Sequence, residues 1–257
     1  MQATLSSGSH FSTRLHRPAV AVPRPLPMDS YVKRPSIGLA AGDIDALAQA
    51  CLQDQRSAMA VVESWIGLGI ELEVIYLRGI APVCRVLGKW WQDDRLDFAS
   101  VTLATCRLQG LLYEFSPLFL EHAKQNTNGY STLMLRPNSA QHSIGSFMLG
   151  EFFKRSGWAV TQLAFQSDTQ IRRLLHGEWI DVVGYSLCSE DCLGLAAPLF
   201  SKIRRYSVNQ GVKIMVGGPL VSANPAIAEA VGADLIGGDA QESQRLAFQC
   251  VTAQCKR

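Results

Sequence analysis

The 257-residue chain lacks any apolar run close to the roughly 20 residues that a membrane-spanning helix needs, and no apolar signal-like stretch opens it. It also lacks a strong excess of charge of one sign. Its formal net charge is only +2, which argues against a broad nucleic-acid-binding surface. The seven cysteines are odd in number and most fall in apolar patterns, as is typical of reduced thiols. We therefore expect a core-forming cytoplasmic protein without a membrane contact.

Three segments of the chain differ in composition. Residues 1–40 are rich in Ser, Pro and basic side chains, which indicates a disordered basic tail; a weak contact with DNA is the alternative to a merely solvated tail. Residues 41–126 show helical spacing of apolar residues and predict an antiparallel bundle, in which Asp43 caps the first helix. A long helix is expected from residue 98 to 122. Its predicted core consists of Leu103, Leu108, Leu111, Leu112 and Phe115.

Residues 130–255 alternate between strand and helix patterns. Strands are predicted near 131–136, 158–164, 179–186, 212–216 and 234–236, and helices near 142–157, 168–176, 190–208, 224–231 and 239–251. This alternation is typical of an α/β fold with a doubly wound parallel sheet, Rossmann-like, with helices on both faces. Ligands of such folds bind at the carboxyl ends of the strands, near a switch point in the strand order.

The loop after the first predicted strand contains His142, with Gly145 three residues later. A histidine in such a loop can offer its imidazole to a large flat ligand, and the glycine lets that ligand approach the helix start. This spacing resembles the His-x-x-Gly core of cobalamin-binding domains, which implies that His142 is the lower ligand of cobalt. The family usually has an acidic residue two positions before the histidine, where this chain has Ala140. Asn138, Ser139 or a water molecule are the alternatives to that carboxylate. If none of them replaces it, we expect a weaker bond to cobalt, which protonation of His142 near about pH 6 releases.

Two further strand ends extend the resemblance. Ser186 stands where the family has a serine that hydrogen-bonds the nucleotide tail of the cofactor. The family usually continues with x-Leu; here Leu187 is the intervening residue and Cys188 takes the place of that Leu. Gly217 and Gly218 leave room for that tail to lie against the backbone. Gly238 belongs to the glycine-rich ending that such domains usually have. Together these residues predict cobalamin as cofactor, as hydroxocobalamin or as the adenosyl or methyl form.

The segment around Trp91 resembles the helical bundles that cap cobalamin. Those bundles carry Gly-x-x-Trp and, ten and eleven residues after the Trp, a Glu-His pair; both cover the upper face of the corrin. Here Trp91 matches the Trp, but Val101 and Thr102 replace Glu-His. An apolar Val and a small Thr leave a more open upper face, which favours hydroxocobalamin or a photolysed product over an adenosyl form.

This departure resembles the AerR/PpaA antirepressors of purple photosynthetic bacteria, which have Trp-x-x-Asp and Phe-x-x-Val-Thr here, followed by Arg-Leu-Gln. The chain has Trp91-x-x-Asp94, Phe98-x-x-Val101-Thr102 and the same Arg-Leu-Gln from residue 107. The resemblance covers about residues 85–255. It implies a cobalamin-binding, light-responsive regulator that acts on a PpsR/CrtJ-type repressor of photosynthesis genes. It also implies that Trp91, Phe98 and Thr102 belong to the cap, and that the protein is not an enzyme.

Other functions compete with this interpretation. A corrinoid carrier for a methyltransferase shares the architecture, but carriers usually keep the acid that Ala140 replaces. A haem sensor could use His142, yet haem has no nucleotide tail for Ser186. The spacing of Cys188 and Cys192 allows metal binding or redox sensing, although two unrelated thiols are the favoured interpretation.

Overall fold

The computed structural model describes residues 38–121, 123, 127–137 and 144–254. Nearly all of the predicted basic tail, residues 1–40, therefore lies outside the described residues. Among the helices that the structure describes, none is both long and apolar enough to cross a membrane.

The first half of the described chain is helical. Its elements are α1 Ala41–Gln53, α2 Gln55–Gly67, α3 Leu72–Val74, a π-helix Ile75–Ile80, α4 Ala81–Gln92 and α5 Phe98–Glu121. Asp54 separates α1 from α2, and its carboxylate caps α2 by accepting the Ser57 N–H at 2.8 Å. Helix α5 packs against α1, α2 and α4, so the helices form the predicted bundle.

Two details of the predicted bundle are wrong. Helix α1 begins at Ala41, and Asp43 is not its N-cap; the Asp43 carboxylate instead accepts the Ala40 N–H at 2.8 Å. A carboxylate in the first turn can satisfy a free N–H from inside the helix as well as from the cap position. Leu103 is 54% exposed, whereas the other four predicted core residues of α5 are buried. It lies off the stripe that those four share around the helix.

The second half contains a five-stranded parallel sheet. Its strands are β1 Ser131–Pro137, β2 Ala159–Phe165, β3 Val182–Ser186, β4 Lys213–Gly217 and β5 Leu235–Ile236. They lie in the order β2-β1-β3-β4-β5, and every neighbouring pair is parallel. Strand β2 lies on one side of β1, and strands β3, β4 and β5 follow one another on the other side. The switch point of the sheet therefore lies between β1 and β3.

Helices cover both faces of the sheet, as predicted. They are α6 Ile144–Arg155, α7 Asp168–Gly177, α8 Glu190–Tyr206, α9 Pro219–Ala223, α10 Ala226–Ala230 and α11 Ala240–Gln254. Helices α6 and α11 pack together on one face, and α7 and α8 pack together on the other. The helix predicted over 224–231 is shorter than expected; it begins after Pro225, because Asn224, the residue before the proline, has an extended backbone. A separate short helix, α9, precedes it.

The bundle and the sheet share a hydrophobic core. Ile144, Met148 and Phe152 of α6 belong to the same buried cluster as the apolar residues of α1, α4 and α5. The predicted fold class, an α/β fold with an N-terminal helical bundle, is confirmed. The segment boundaries at 41–126 and 130–255 stay predictions.

Candidate functional site

The candidate site lies at the carboxyl ends of β1 and β3, on the two sides of the switch point. The loop from β1 to α6 carries His142, and the end of β3 carries Ser186. His142 itself lies outside the described residues, as does Ala140. On the β1 side of the site, the described residue that was predicted to contact the cofactor is Gly145, in the first turn of α6.

Gly145 is exposed and borders open space. A β-carbon built on it would meet no other atom of the described structure within 4 Å. No neighbouring group of the described protein therefore requires a glycine here, and its backbone φ is not in the left-handed region. An open surface at the helix start is what the approach of a flat ligand would need.

Ser186 ends β3 directly opposite Gly217 of β4. Its side chain is half-buried, and its hydroxyl makes no hydrogen bond to another described residue. A hydroxyl in this position can donate to a ligand that lies across the strand ends. The side chain of Leu187 is fully buried in the core beneath the edge, and its N–H donates to the Gly217 carbonyl at 2.8 Å. Leu187 therefore supports the strand end from below.

The glycines after β4 differ in what they do. Gly218 has φ +104, and a β-carbon on it would lie 2.8 Å from the Leu187 oxygen and 3.0 Å from Ser186 Oγ. Only glycine fits this backbone and this close approach. Gly217 is less restricted, since its β-carbon would meet the Gly237 oxygen at an ordinary 3.6 Å. Both leave the edge between β3 and β5 free of side chains.

Gly238 is covered by a side chain. A β-carbon on Gly238 would collide with a carboxylate oxygen of Glu242, which lies in the first turn of α11. Glu242 is exposed, so its side chain has room for other rotamers. A ligand that contacts Gly238 would therefore need this carboxylate to swing away.

Helix α5 extends past the start of α6. The two helices run parallel: Tyr113 lies against Phe147 with ring centroids 4.6 Å apart, and Phe119 lies against Phe152 at 5.1 Å. Ile144 at the start of α6 is therefore level with about residue 110 of α5. The preceding dozen residues of α5, roughly 18 Å at 1.5 Å per residue, project beyond the carboxyl edge of the sheet.

The predicted cap residues lie on or beside this projecting part of α5. Phe98 and Thr102 continue, at helical spacing, the stripe that contains Tyr113 and Ser116 and that faces α6 further along. Phe98 is 60% exposed, Thr102 is exposed, and Trp91, at the end of α4 next to this part of α5, is 48% exposed. The adjacent Trp90 instead packs against the bundle core, with Arg95 over its ring. Large apolar side chains are thus held in solvent at the end of the bundle that overhangs the strand ends.

The loop between α4 and α5 has a defined shape. Asp94 adopts a left-handed backbone with φ 55. Asp97 caps α5 by accepting the Ser100 N–H at 2.6 Å, and this hydrogen bond lowers the pKa of the Asp97 carboxyl below its usual value. The cap fixes where α5 begins and so where Phe98 stands.

A buried polar group that the sequence analysis missed holds α5 against α6. Glu151 of α6 is fully buried; it accepts a hydrogen bond from Ser116 of α5 and pairs with Lys154 at 2.9 Å. Arg155 adds an ion pair with Glu73 of α3 at 2.9 Å. The sequence signal was a single acid within the apolar run Gly150 to Phe153. These contacts set the register of the two helices and hence the overhang.

Comparison with known proteins agrees with this geometry. The family model of the B12 binding domain matches residues 130–246. An uncharacterized 20.5 kDa protein in the bchF-crtJ intergenic region of Rhodobacter capsulatus is 27% identical over 170 residues, which cover 66% of this chain and 88% of that protein.

One solved structure has the same architecture, and a second is a weaker match. The monomethylamine corrinoid protein of Methanosarcina barkeri is similar with a TM-score of 0.70 and 15% identity, over 81% of this chain and 98% of that one. A cobalamin-binding protein from Desulfitobacterium hafniense DCB-2 matches with a TM-score of 0.43 and 16% identity, over 80% of this chain and 97% of that one. The first of these likenesses supports the fold.

The cofactor prediction is confirmed: residues 130–246 match the B12 binding domain model, and the cofactor is cobalamin. The described residues fit this group. The Ser186 hydroxyl, which bonds to no other described residue, and the glycines 217 and 218 suit a nucleotide tail, and the overhanging end of α5 suits a flat ring. The roles of the individual residues, His142 included, stay predictions.

Proposed function

We propose that the protein is a cobalamin-dependent, light-responsive regulator that relieves repression by a PpsR/CrtJ-type repressor of photosynthesis genes. The observation that carries the proposal is the overhanging end of the bundle. Trp91, Phe98 and Thr102 are exposed there, and they belong to the sequence pattern that resembles the AerR/PpaA antirepressors. The Rhodobacter relative, a protein of the bchF-crtJ intergenic region, supports the same assignment. The cofactor supplies absorption of visible light and a cobalt–ligand bond that light can break.

The residues of the chain have separate tasks in this proposal. His142 holds the lower side of the cofactor, Ser186 donates a hydrogen bond to its tail, and the glycines at the β4 end give the tail space. Trp91 and Phe98 cover the upper face from the end of the bundle. The position of Glu-His in other caps is held by Val101, which is half-buried, and Thr102, whose hydroxyl donates to the Phe98 carbonyl at 2.7 Å. Neither side chain places a charge over the cofactor.

A regulator needs a surface that changes with the state of the cofactor. Apolar side chains in water are costly, so the overhang is more stable where a ligand or a partner covers it. A change in the upper ligand would alter how well Phe98 and Trp91 are covered, and the bundle end would shift between two arrangements. The repressor would then bind one of the two arrangements.

Absorption spectra test the cofactor part of the proposal. Wild-type protein mixed with hydroxocobalamin and desalted in light should retain a shifted corrin spectrum. The His142→Ala variant should lose the corrin or show a different spectrum. Retention of an unchanged spectrum by the variant would contradict the role of His142.

A repressor pull-down tests the regulatory part. Protein loaded with hydroxocobalamin should retain a CrtJ-type repressor, and His142→Ala protein carried through the same steps should retain much less. Protein loaded with adenosylcobalamin in the dark should gain the interaction only after illumination. Equal corrin affinity and equal repressor binding before and after illumination would refute the light response. They would leave a corrinoid carrier as the better assignment.

A further inference from the structure

We propose that Cys188 and Cys192 form a reversible disulfide at the carboxyl end of β3, beside the cofactor edge. Their sulfur atoms are 3.4 Å apart. Among the described cysteines, no other pair has sulfur atoms in such contact. Only a small movement is needed for a covalent bond. The S–S bond of a disulfide is roughly 2.05 Å long, so the two sulfur atoms must approach each other by about 1.4 Å.

Local structure directs the two thiols toward each other. Ser189 caps α8, and its hydroxyl accepts the Cys192 N–H at 3.3 Å. Cys192 is thereby held in the first turn, where helical side chains point back toward the N-terminus. Cys188 immediately precedes the cap. The sequence pattern alone does not give this contact, since it depends on where α8 begins.

The chemistry is a thiol–disulfide exchange with a low-molecular-weight disulfide of the glutathione type as oxidant. Cys188 is half-buried and Cys192 is almost fully buried, so Cys188 reacts first. Its thiolate attacks one sulfur of the oxidant, a mixed disulfide forms, and one thiol leaves with a proton. Cys192, as thiolate, then attacks the Cys188 sulfur and releases the second thiol. Two electrons pass from the protein to the oxidant, which is reduced to two thiols.

The rate of disulfide formation should rise as the pH rises. Burial, together with the hydrogen bond to Cys192, raises the pKa of the Cys188 thiol to about 11, although it lies beside a helix N-terminus. Only the thiolate attacks, so the rate should rise with each pH unit below that pKa, by up to about tenfold. The neighbouring sulfur favours ring closure once the mixed disulfide exists.

The disulfide would act on the cofactor edge through the backbone between β3 and α8. Leu187, the residue before Cys188, donates its N–H to Gly217 at 2.8 Å and accepts from Leu220 at 3.3 Å. Gly218 is packed so closely that not even a β-carbon fits beside Leu187 and Ser186. A movement at Cys188 therefore reaches the Ser186 hydroxyl. This consequence rests on the proposed function: oxidised protein should bind hydroxocobalamin about tenfold more weakly, roughly the value of one hydrogen bond.

Mass spectrometry of the full chain tests the disulfide without any cofactor. No Lys or Arg lies between Arg173 and Lys202, so both cysteines fall in one tryptic peptide. After treatment with oxidised glutathione, this peptide should be lighter by two hydrogen atoms and resist alkylation. Cys192→Ser protein should instead stop at a glutathione adduct on Cys188. Cys250→Ser protein, which lacks an unrelated thiol on α11, should behave like the wild type.

Two results would contradict the proposal. If both cysteines remain alkylatable after the exposed Cys106 has been modified, the disulfide does not form. If it forms but oxidised and reduced wild type bind hydroxocobalamin equally, the coupling to the cofactor edge is refuted. If neither form binds hydroxocobalamin, the proposed function fails, and a disulfide found in the peptide still stands.

Discussion

At the scale of single residues, the site glycines differ in what an added methyl group would cost. Gly218 cannot accept one, because its φ of +104 and its neighbours at 2.8 and 3.0 Å exclude any side chain. A substitution there would disturb the strand end itself and would not isolate ligand binding. Gly145 is the opposite case, because no described residue lies near its β-carbon position and its helical backbone suits any residue.

Gly145→Ala should therefore separate binding from folding. Alanine in a helix is more favourable than glycine by up to about 1 kcal/mol, so the free energy of unfolding should stay equal or rise. The affinity for hydroxocobalamin should fall by about tenfold if the ligand lies against the α6 start. Gly194→Ala is the matched control, because Gly194 also lies in a helix with no atom near its β-carbon position. Titration of both variants by absorbance, with urea denaturation alongside, checks this; equal affinities would place the ligand elsewhere.

At the scale of elements, the alternation of strands and helices could be predicted from the sequence, because hydrophobic periodicity is a local property. The π-helix at Ile75–Ile80 could not, since the 3.6-residue period around Val74 and Leu77 continues through it. The overhang of α5 also could not be predicted. It depends on the contacts of Tyr113 and Ser116 with α6, which lie more than 30 residues away in sequence.

The strand-end residues of the site could be predicted from the sequence, whereas the residues placed by helix packing could not. Ser186 and Gly217 each follow a strand, and the parallel order of β3 and β4 brings them side by side. The position of Phe98 relative to the strand ends requires the packing of one helix on another, which no local pattern records. The contacts of Glu151 could not be predicted from local sequence either, because one of its partners, Ser116, comes from α5 and the other, Lys154, from α6.

The proposed cap face of α5 can be tested with two exposed residues of the same helix. Phe98→Ala and Leu103→Ala both remove side chains that are more than half exposed, 60% and 54%, so each should change the free energy of unfolding by less than about 0.5 kcal/mol. Only Phe98 continues the stripe that faces α6. The hydroxocobalamin affinity should therefore fall several-fold in Phe98→Ala and stay unchanged in Leu103→Ala. Loss of affinity in both variants, or in neither, would contradict the proposed cap face.

At the scale of the whole molecule, the bundle and the sheet are joined by a shared core and by buried polar contacts. Ile144, Met148 and Phe152 of α6 lie in the core of the bundle. Glu151 adds a buried carboxylate that accepts from Ser116, and Arg155 donates to the Phe119 carbonyl and stacks on its ring. A cap that responds to the cofactor needs this fixed end, because a shift at Phe98 can be transmitted only if the other end of α5 stays in place.

Glu151→Ala should therefore weaken the connection between the two halves. Removal of the buried carboxylate leaves the half-buried Ser116 hydroxyl without its acceptor, so the free energy of unfolding should fall by roughly 1–3 kcal/mol. Lys202→Ala, which breaks the exposed ion pair with Asp168, should cost less than about 1 kcal/mol.

Urea denaturation followed by far-UV circular dichroism and by tryptophan fluorescence measures the free energy of unfolding of both variants, since Trp65 lies in the bundle core and Trp158 beside the sheet. Coincident transitions are expected in the wild type because the core is shared. If Glu151→Ala cost no more than Lys202→Ala, α5 would be held by apolar packing alone, and the buried carboxylate would not be what fixes the overhang.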